Sequence, residues 1–448
     1  MIDGVDGVGW DEVAEIRLPS GELRHGVVLD VSDTLAVVQV YEGTSGLAPR
    51  DVRVAFGGAP MQVPVGEAWL GRICNGRGEP LDGGPPVLAS ITRDVQGRPI
   101  NPAARATPRD AIVTGVSVID GLATLVRGQK LPIFSLGGLP HLELATQVAS
   151  QATAGGESFA IVFAAIGITN ADAGMVREGL EERAAAGDLA LFLNTADDPL
   201  AERILTPRIA LTVAEHLAFE LGRHVLVVMA DMTSYCEAVR EVSASRGETP
   251  SRRGYPGYLY SDLASLYERA GRIRGRDGSL TQMPVLTMPA GYITHPVPDL
   301  TGYITEGQLV LAQDRHVRGL YPPFDPLRSL SRLMRLGAGS SRTRDDHLVI
   351  AAQLYALVAE ARRASDLADV VGADALAENE RDLLRFNDAF EEGFVAQSRS
   401  ELRSLDETLD RAWRVASTLP RRALSMVPER LLELHYEGGE DASPRAAR

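Results

Sequence analysis

From Glu12 to about Gly71 apolar residues alternate with polar ones in short runs, such as Val27, Leu29 and Val31 and then Leu35 and Val37. Pro19-Ser20-Gly21 and Gly57-Gly58 punctuate them. A period of two between turn signals predicts short antiparallel strands, here a small β-barrel or sandwich over residues 1–72. Residues 75–110 are rich in Gly, Pro and Arg, as in Asn75-Gly76-Arg77-Gly78-Glu79-Pro80 and Asp82-Gly83-Gly84-Pro85-Pro86, and support turns but no long helix. A domain boundary is placed at the start of this stretch. From about 111 to 345, solid apolar runs alternate with helical periods: Leu131 to Phe134, Phe159 to Ala165, Leu189 to Leu193, Val225 to Ala230 and Val285 to Met288. Such runs read as strands buried on both faces, and their alternation with helices predicts a parallel sheet with right-handed crossovers over residues 73–345. One helix is expected after Pro140, where Leu144, Ala145, Val148, Ala149 and Ala152 recur at helical spacing, and another from Ser261 to Arg272. The block from Asp345 to Tyr436 has almost no glycine and carries amphipathic stretches, Leu354, Tyr355 and Val358, then Leu383, Phe386 and Phe390. It predicts a C-terminal helical bundle over residues 346–436, followed by a flexible tail over 437–448.

Composition narrows the partners. Among 448 residues, 45 Lys and Arg stand against 60 Asp and Glu, a formal charge of −15. That sign repels polyphosphate at long range, so no nucleic-acid partner is expected and any phosphate site must be local. Cys74 and Cys236 are too few and too isolated for a disulfide framework or a Cys-based zinc site, which fits a reducing compartment, the cytoplasm. Met1-Ile2-Asp3-Gly4-Val5-Asp6 has neither a basic stretch nor an apolar core, and no window approaches about 18 uninterrupted apolar residues. Neither export nor a membrane span is expected.

The strand from Leu131 to Phe134 leads into Ser135-Leu136-Gly137-Gly138-Leu139-Pro140-His141-Leu142-Glu143. A phosphate-binding loop in this position needs Gly-x-x-x-x-Gly-Lys-Ser/Thr, because backbone amides and an ammonium must converge on the phosphates while a hydroxyl binds magnesium. Five residues beyond Gly137 stands Leu142, no Lys or Ser/Thr follows it, and Lys130 lies at the other end of the strand. The loop lacks the groups for that chemistry; Gly137-Gly138 also reads simply as a tight strand-to-helix turn.

Several long runs resemble one family. They are Thr114-Gly115-Val116-Ser117-Val118-Ile119-Asp120, Leu125 through Phe134, Asp231 through Ala238, Arg252-Arg253-Gly254-Tyr255-Pro256-Gly257-Tyr258, Ile293-Thr294-His295-Pro296 through Gln308, and Tyr321-Pro322-Pro323 through Met334. Together, from roughly residue 12 to 436, the chain is similar to the B subunits, or beta chains, of the V-type and A-type rotary ATPase or ATP synthase. The resemblance implies an α/β fold with β and α domains: an N-terminal β-barrel, a central RecA-like parallel-sheet core and a C-terminal helical bundle. It implies a non-catalytic, regulatory chain alternating with a catalytic A subunit in a ring of six around a central rotor shaft, with peripheral stalk subunits. It implies ATP or ADP with magnesium at the interface with the A subunit, none held tightly by the isolated chain, and a place on the cytoplasmic face of a membrane reached only through the complex.

The family's B subunits carry a degenerate loop, Ser-Gly-Ser-Gly-Leu-Pro-x-Asn-Glu, and this chain departs even from that at Leu136 and Leu142. Related catalytic subunits have a Glu, which orients the attacking water, at the place of Ile168; isoleucine has no acid–base chemistry. Asp231 ends the run Val225 to Ala230, where a RecA-like core carries its magnesium-directed acid; it is open to that reading and to capping or bracing the sheet end. Ser331-Arg332-Leu333 matches the motif that holds an arginine acting in trans, so Arg332 is the expected catalytic and ATP-contacting residue at the A/B interface. Arg328, Arg335, Arg342 and Arg344 surround it, Arg328 replaces the motif's usual proline, and Ala290-Gly291-Tyr292 stands where the family is usually acidic. Arg252 and Arg253 read as a subunit contact or a surface turn, and His295 as structural. Two other readings remain, a self-sufficient RecA-like hexameric NTPase such as a secretion ATPase or helicase, and an assembly scaffold without a nucleotide role. The direction of the reaction and the coupling ion, proton or sodium, are not written in these motifs.

Overall fold

The computed structural model describes residues 1–438 apart from Asp33, Pro49, Arg50 and Ser340, so the expected tail lies, from Gly439 on, outside the described residues. The chain forms two compact units, Met1–Ala106 with Glu157–Thr305, and Thr107–Gly156 with the residues from Glu306 onward.

The first unit opens with a five-stranded antiparallel sheet in the order Ile2–Asp3, Leu35–Val40, Leu23–Ser32, Glu12–Arg17, Arg53–Pro60. A period of two holds on Glu12–Arg17, where Ala14 and Ile16 are 0% and 3% exposed while Glu15 and Arg17 face solvent. On the next two strands the fully buried side chains are Val28 and Ala36, and the expected Val27, Leu29, Val31, Leu35 and Val37 are only half-buried. Val5, Val28 and Ala36 close the small core, with Val31, Val38 and Phe56 packed on it. The same unit carries parallel strands in the order Ser279–Thr287, His224–Ala230, Phe159–Ile168, Leu189–Thr195, Ile73–Asn75. Every residue of His224–Ala230 is buried, which is why the run shows no alternation. Helices Asn170–Ala185, Leu200–Glu215 and Met232–Ser245 follow successive strands of this sheet. The edge strand Ile73–Asn75, paired to Leu189–Thr195 through Leu191 and Ile73, gives no readable pattern, because three residues are too few to show a period. The helix expected from Ser261 to Arg272 instead spans Leu259–Tyr267, and Gly271–Ile273 is a strand antiparallel to Ser279–Thr287. The chain must turn at Arg269, which is fully buried, and a Cβ on Gly271 (φ +148°) would lie 2.8 Å from the Arg105 guanidinium.

In the second unit Ile133–Ser135 pairs in parallel with Gly307–Val310, which pairs antiparallel with Leu330–Ser331. The helices His141–Gln151, His347–Val371, Glu378–Phe390, Leu405–Ala416 and Glu429–His435 belong to it. On His347–Val371 the buried residues Ile350, Leu354, Leu357, Val358 and Ala361 form one stripe. Phe386, Phe390 and Phe394 stack at 6.1 and 5.5 Å between ring centroids.

The run Thr114 to Asp120 is a buried turn closed by its own carboxylate. Asp120 accepts from Thr114 N (2.8 Å), Thr114 Oγ1 (2.8 Å) and Gly115 N (2.9 Å) and is 1% exposed. Burial pushes its pKa up to about 7 against those three donors. Since an unfolded carboxyl titrates near 4, the folded chain holds this proton more tightly. The resulting stabilisation is full below about pH 4 and is lost as pH rises toward 7. Carboxyl-carbon NMR of the folded chain should show Asp120 titrating near neutrality; a midpoint in the ordinary carboxylate range would show that the donors win over burial.

Candidate functional site

The strand Ile133–Ser135 and the helix His141–Gln151 frame the loop where phosphate would sit in an active nucleotide site. The loop is closed on itself. Leu139 N donates to Leu136 O at 3.2 Å and His141 N to Leu139 O at 2.8 Å, while Pro140 has no N–H to offer. Gly138 takes φ +86°, the left-handed turn that lets the chain reverse here. The Ser135 hydroxyl donates to Leu136 O (3.1 Å) and lies 3.2 Å from His141 Nδ1. Leu142 is 6% exposed and belongs to the core. Lys130 pairs with Glu306 at 2.9 Å at the far end of the strand. The loop therefore offers phosphate no fixed cation, spends the amides of Leu139 and His141 on its own carbonyls, and has its one hydroxyl, Ser135, engaged by Leu136 O and His141.

In the first unit Asp231 is the N-cap of Met232–Ser245. It accepts from Thr233 N (2.7 Å), from Thr287 Oγ1 (2.6 Å) and from Thr287 N (3.3 Å), and Thr233 Oγ1 donates to Thr287 O at 2.8 Å. The carboxylate thus caps a helix and ties the ends of two neighbouring strands, with both oxygens engaged. Ile168 is 7% exposed at the end of its strand, and its carbonyl accepts from Ala196 N at 2.7 Å. Beside it the Arg203 guanidinium donates to Asn194 Oδ1 (3.3 Å) and to the carbonyls of Thr195 (3.2 Å) and Ala196 (3.1 Å). A Cβ on Gly167 (φ +64°) would stand 2.7 Å from Arg203 Nε. A strand end laced in this way has no base for activating water.

Arg332 follows Leu330–Ser331, and its placement in the second unit is fixed from behind. Its N–H donates to Glu306 O at 3.0 Å. Ser331 Oγ donates to Thr124 O (3.0 Å) and accepts from Gln129 Nε2 (2.9 Å). A Cβ on Gly307 would meet Leu330 O at 2.3 Å, so only glycine lets the two strands close. The backbone is held while the Arg332 side chain is exposed. Arg328 lies in the turn Pro326–Arg328, where Asp325 accepts from Leu327 N (3.1 Å) and Arg328 N (3.3 Å), so the turn closes without the proline usual in the motif. Arg344 is engaged by Asp346 (2.7 Å) and Asp410 (2.5 Å), and Arg342 stands 3.7 Å from Asp110; Arg335 is exposed.

Arg252 donates to Asp299 (2.9 Å) and to Thr294 O (2.7 Å), closing the turn before Tyr255. His295 is 6% exposed and caps Pro296–Ile304, its Nδ1 accepting from Val297 N at 3.5 Å, a structural place as expected. Two buried arginines escape a reading of the sequence. Arg208 binds Asp262 (2.6 Å), Tyr235 (3.0 Å) and Gln96 (2.7 Å), and Arg269 forks onto Glu215 at 2.8 and 2.6 Å. The one available signal is Tyr235, inside the run Asp231 to Ala238.

Family comparison agrees with this layout. The beta-barrel domain of the ATP synthase alpha/beta family matches residues 2–58, and that family's nucleotide-binding domain matches 115–331. The C-terminal domain of V and A type ATP synthase matches 336–436. In order these are a β domain, a parallel-sheet nucleotide-binding domain and a helical domain. The chain belongs to the ATP synthase alpha/beta family, with a C-terminal domain of the V and A type. The B subunit of the A-type ATP synthase of Aeropyrum pernix is 54% identical over 438 residues, 97% of this chain and 95% of that one. A solved structure of a unique ATP synthase subunit, NeqB, of Nanoarcheaum equitans is similar at TM-score 0.73 and 38% identity, over 91% of this chain and 100% of that one. The family expected from the motifs is the family found. Among the described residues no helix is long and apolar enough to cross a membrane.

Proposed function

We propose that the chain is the non-catalytic B subunit of a V/A-type rotary ATP synthase. In this reading it alternates with catalytic A subunits around a central shaft and is braced by peripheral stalk subunits. It lies on the cytoplasmic face of a membrane through the ion-translocating sector. Nucleotide with magnesium is held mainly by the A subunit at the shared interface, and Arg332 reaches it from this side to stabilise charge developing on the phosphate. The observation that carries the reading is the loop after Ile133–Ser135, where core Leu142 stands in place of a phosphate-binding lysine and the amides of Leu139 and His141 are spent on the loop's own carbonyls. Asp231, engaged by Thr233 and Thr287, and Ile168 support it. This chain's own loop does not fit a magnesium nucleotide, so no step of hydrolysis is assigned to it.

The expected result is that the pure chain with magnesium and ATP releases no phosphate above background, and that turnover appears when it is combined with its A subunit. Steady turnover by the pure chain, abolished by substitutions within residues 135–143, would refute the reading.

A further inference from the structure

Two clefts of the first unit share a border. The inner one, about 70 Å³, is walled by aliphatic side chains including Val27, Leu29 and Leu205; the outer one, about 360 Å³, opens beside Tyr258 and Ser261. Ile204, Arg208 and Arg246 line both. Three polar side chains of the inner cleft have a buried atom without a hydrogen-bond partner: Tyr41 Oη, Gln39 Oε1 and Arg246 Nε. Buried polar atoms in folded proteins are as a rule satisfied, so three on one small cavity point to a ligand.

Their chemistry says which ligand. Arg208 is spent on Asp262, Tyr235 and Gln96, so it adds no open donor. Arg246 differs. Two of its guanidinium nitrogens form ion pairs with Asp11 and Glu248, each at 3.8 Å and too long for a hydrogen bond, the other Glu248 oxygen accepts from Ser243 Oγ at 2.5 Å, and Arg246 Nε has no partner. Tyr41 is 5% exposed, and burial holds its phenol protonated, a donor. A half turn of the Gln39 amide exchanges its oxygen for its NH2, a third donor. A cation and neutral donors against aliphatic walls match one small anion with an apolar body. Asp11 lines the inner cleft as well as the outer, and Asp262 lines the outer, so a doubly charged phosphate would meet twice the repulsion of a monoanion and leave the aliphatic walls unused.

We propose that this cleft binds a small amphipathic monocarboxylate, its carboxylate on Arg246 and the Tyr41 hydroxyl and its short aliphatic chain along the wall of Val27, Leu29 and Leu205. The site shares no residue with the nucleotide loop or with Arg332.

The test is a titration of the full chain with hexanoate, with hexylamine and hexanol as charge-reversed and neutral counterparts. Binding is read by saturation-transfer NMR and by fluorescence of Trp10, which is 54% exposed with the Arg246 guanidinium 5.2 Å from its ring, whereas Trp69 and Trp413 are 2% exposed. Hexanoate should bind saturably, hexanol about tenfold more weakly or worse, and hexylamine not at all. Arg246→Gln should weaken hexanoate by about tenfold or more, Tyr41→Phe by less, and Ile204→Trp, which fills the cavity, should abolish it. Arg98→Gln, away from the cleft, should change nothing. No saturable hexanoate signal, equal binding of hexylamine, or unchanged affinity in Arg246→Gln would each overturn the proposal. Should Arg246→Gln fail to fold, the three-ligand series on the unaltered chain and Tyr41→Phe decide it.

Discussion

Arg332→Ala should leave folding and ring assembly intact and slow ATP hydrolysis by the reconstituted ring by about a thousandfold or more, the scale of a missing arginine finger. The side chain is exposed, so truncating it removes no core packing. The backbone beneath it is held by Glu306 O at 3.0 Å and by the Ser331 hydroxyl on Thr124 O, neither of which involves the guanidinium head. A loss of turnover with assembly unchanged would therefore report chemistry and not folding. Lysine should rescue poorly, since a point charge does not reproduce a planar fork over phosphate oxygens. The measurement is turnover of rings carrying the unaltered chain, Arg332→Ala, Arg332→Lys and, as a local charge control, Arg335→Ala, after size-exclusion chromatography has confirmed assembly. Near-normal turnover in Arg332→Ala refutes the role, and selective loss in Arg335→Ala moves it to that exposed neighbour.

The readable parts of this fold are those where one physical demand governs a long run. Strands buried on both faces must be largely apolar, so the runs Phe159 to Ala165 and Val225 to Ala230 stand out in the sequence. The period of two gives the N-terminal sheet, and glycine scarcity with helical spacing gives the C-terminal helices. At the site, missing chemistry is as legible as present chemistry would be: Leu142 and Ile168 are apolar wherever the chain puts them. The inward-turned amides of Leu139 and His141 are not legible, because they depend on backbone geometry that many sequences share. Asp231 reads two ways until Thr287, 56 residues away, is found to hold its second oxygen. The end of Leu259–Tyr267 is misplaced by periodicity for the same reason. Just past that helix Arg269 turns inward to Glu215, a partner 54 residues back, and local spacing carries no trace of it.

That partner also sets the largest stability effect expected in the molecule. Arg269 is fully buried, and its fork meets both oxygens of Glu215 while also donating to Thr212 Oγ1 (2.8 Å) and to Val95 O (3.3 Å). It joins the segment after Leu259–Tyr267 to the helix Leu200–Glu215 and to the loop at Val95, where a Cβ on Gly97 would lie 2.3 Å from Arg269 Cζ. Removing one member of a buried ion pair strands the other charge, and Arg269→Ala should cost about 3–5 kcal/mol. Urea unfolding followed by hydrogen exchange should place that loss in the first unit and leave the second near its unaltered stability. Arg269→Lys keeps a charge but not the two-pronged contact and should fall between. The discriminating variant is the double substitution Arg269→Met with Glu215→Leu, which fills the space and removes both charges; it should recover most of the loss, because a well-packed apolar pair can match a buried ion pair. A double variant as unstable as Arg269→Ala would place the stabilisation in the hydrogen bonds to Thr212 and Val95 instead, with the charge on Glu215, 22% exposed, tolerated by solvent.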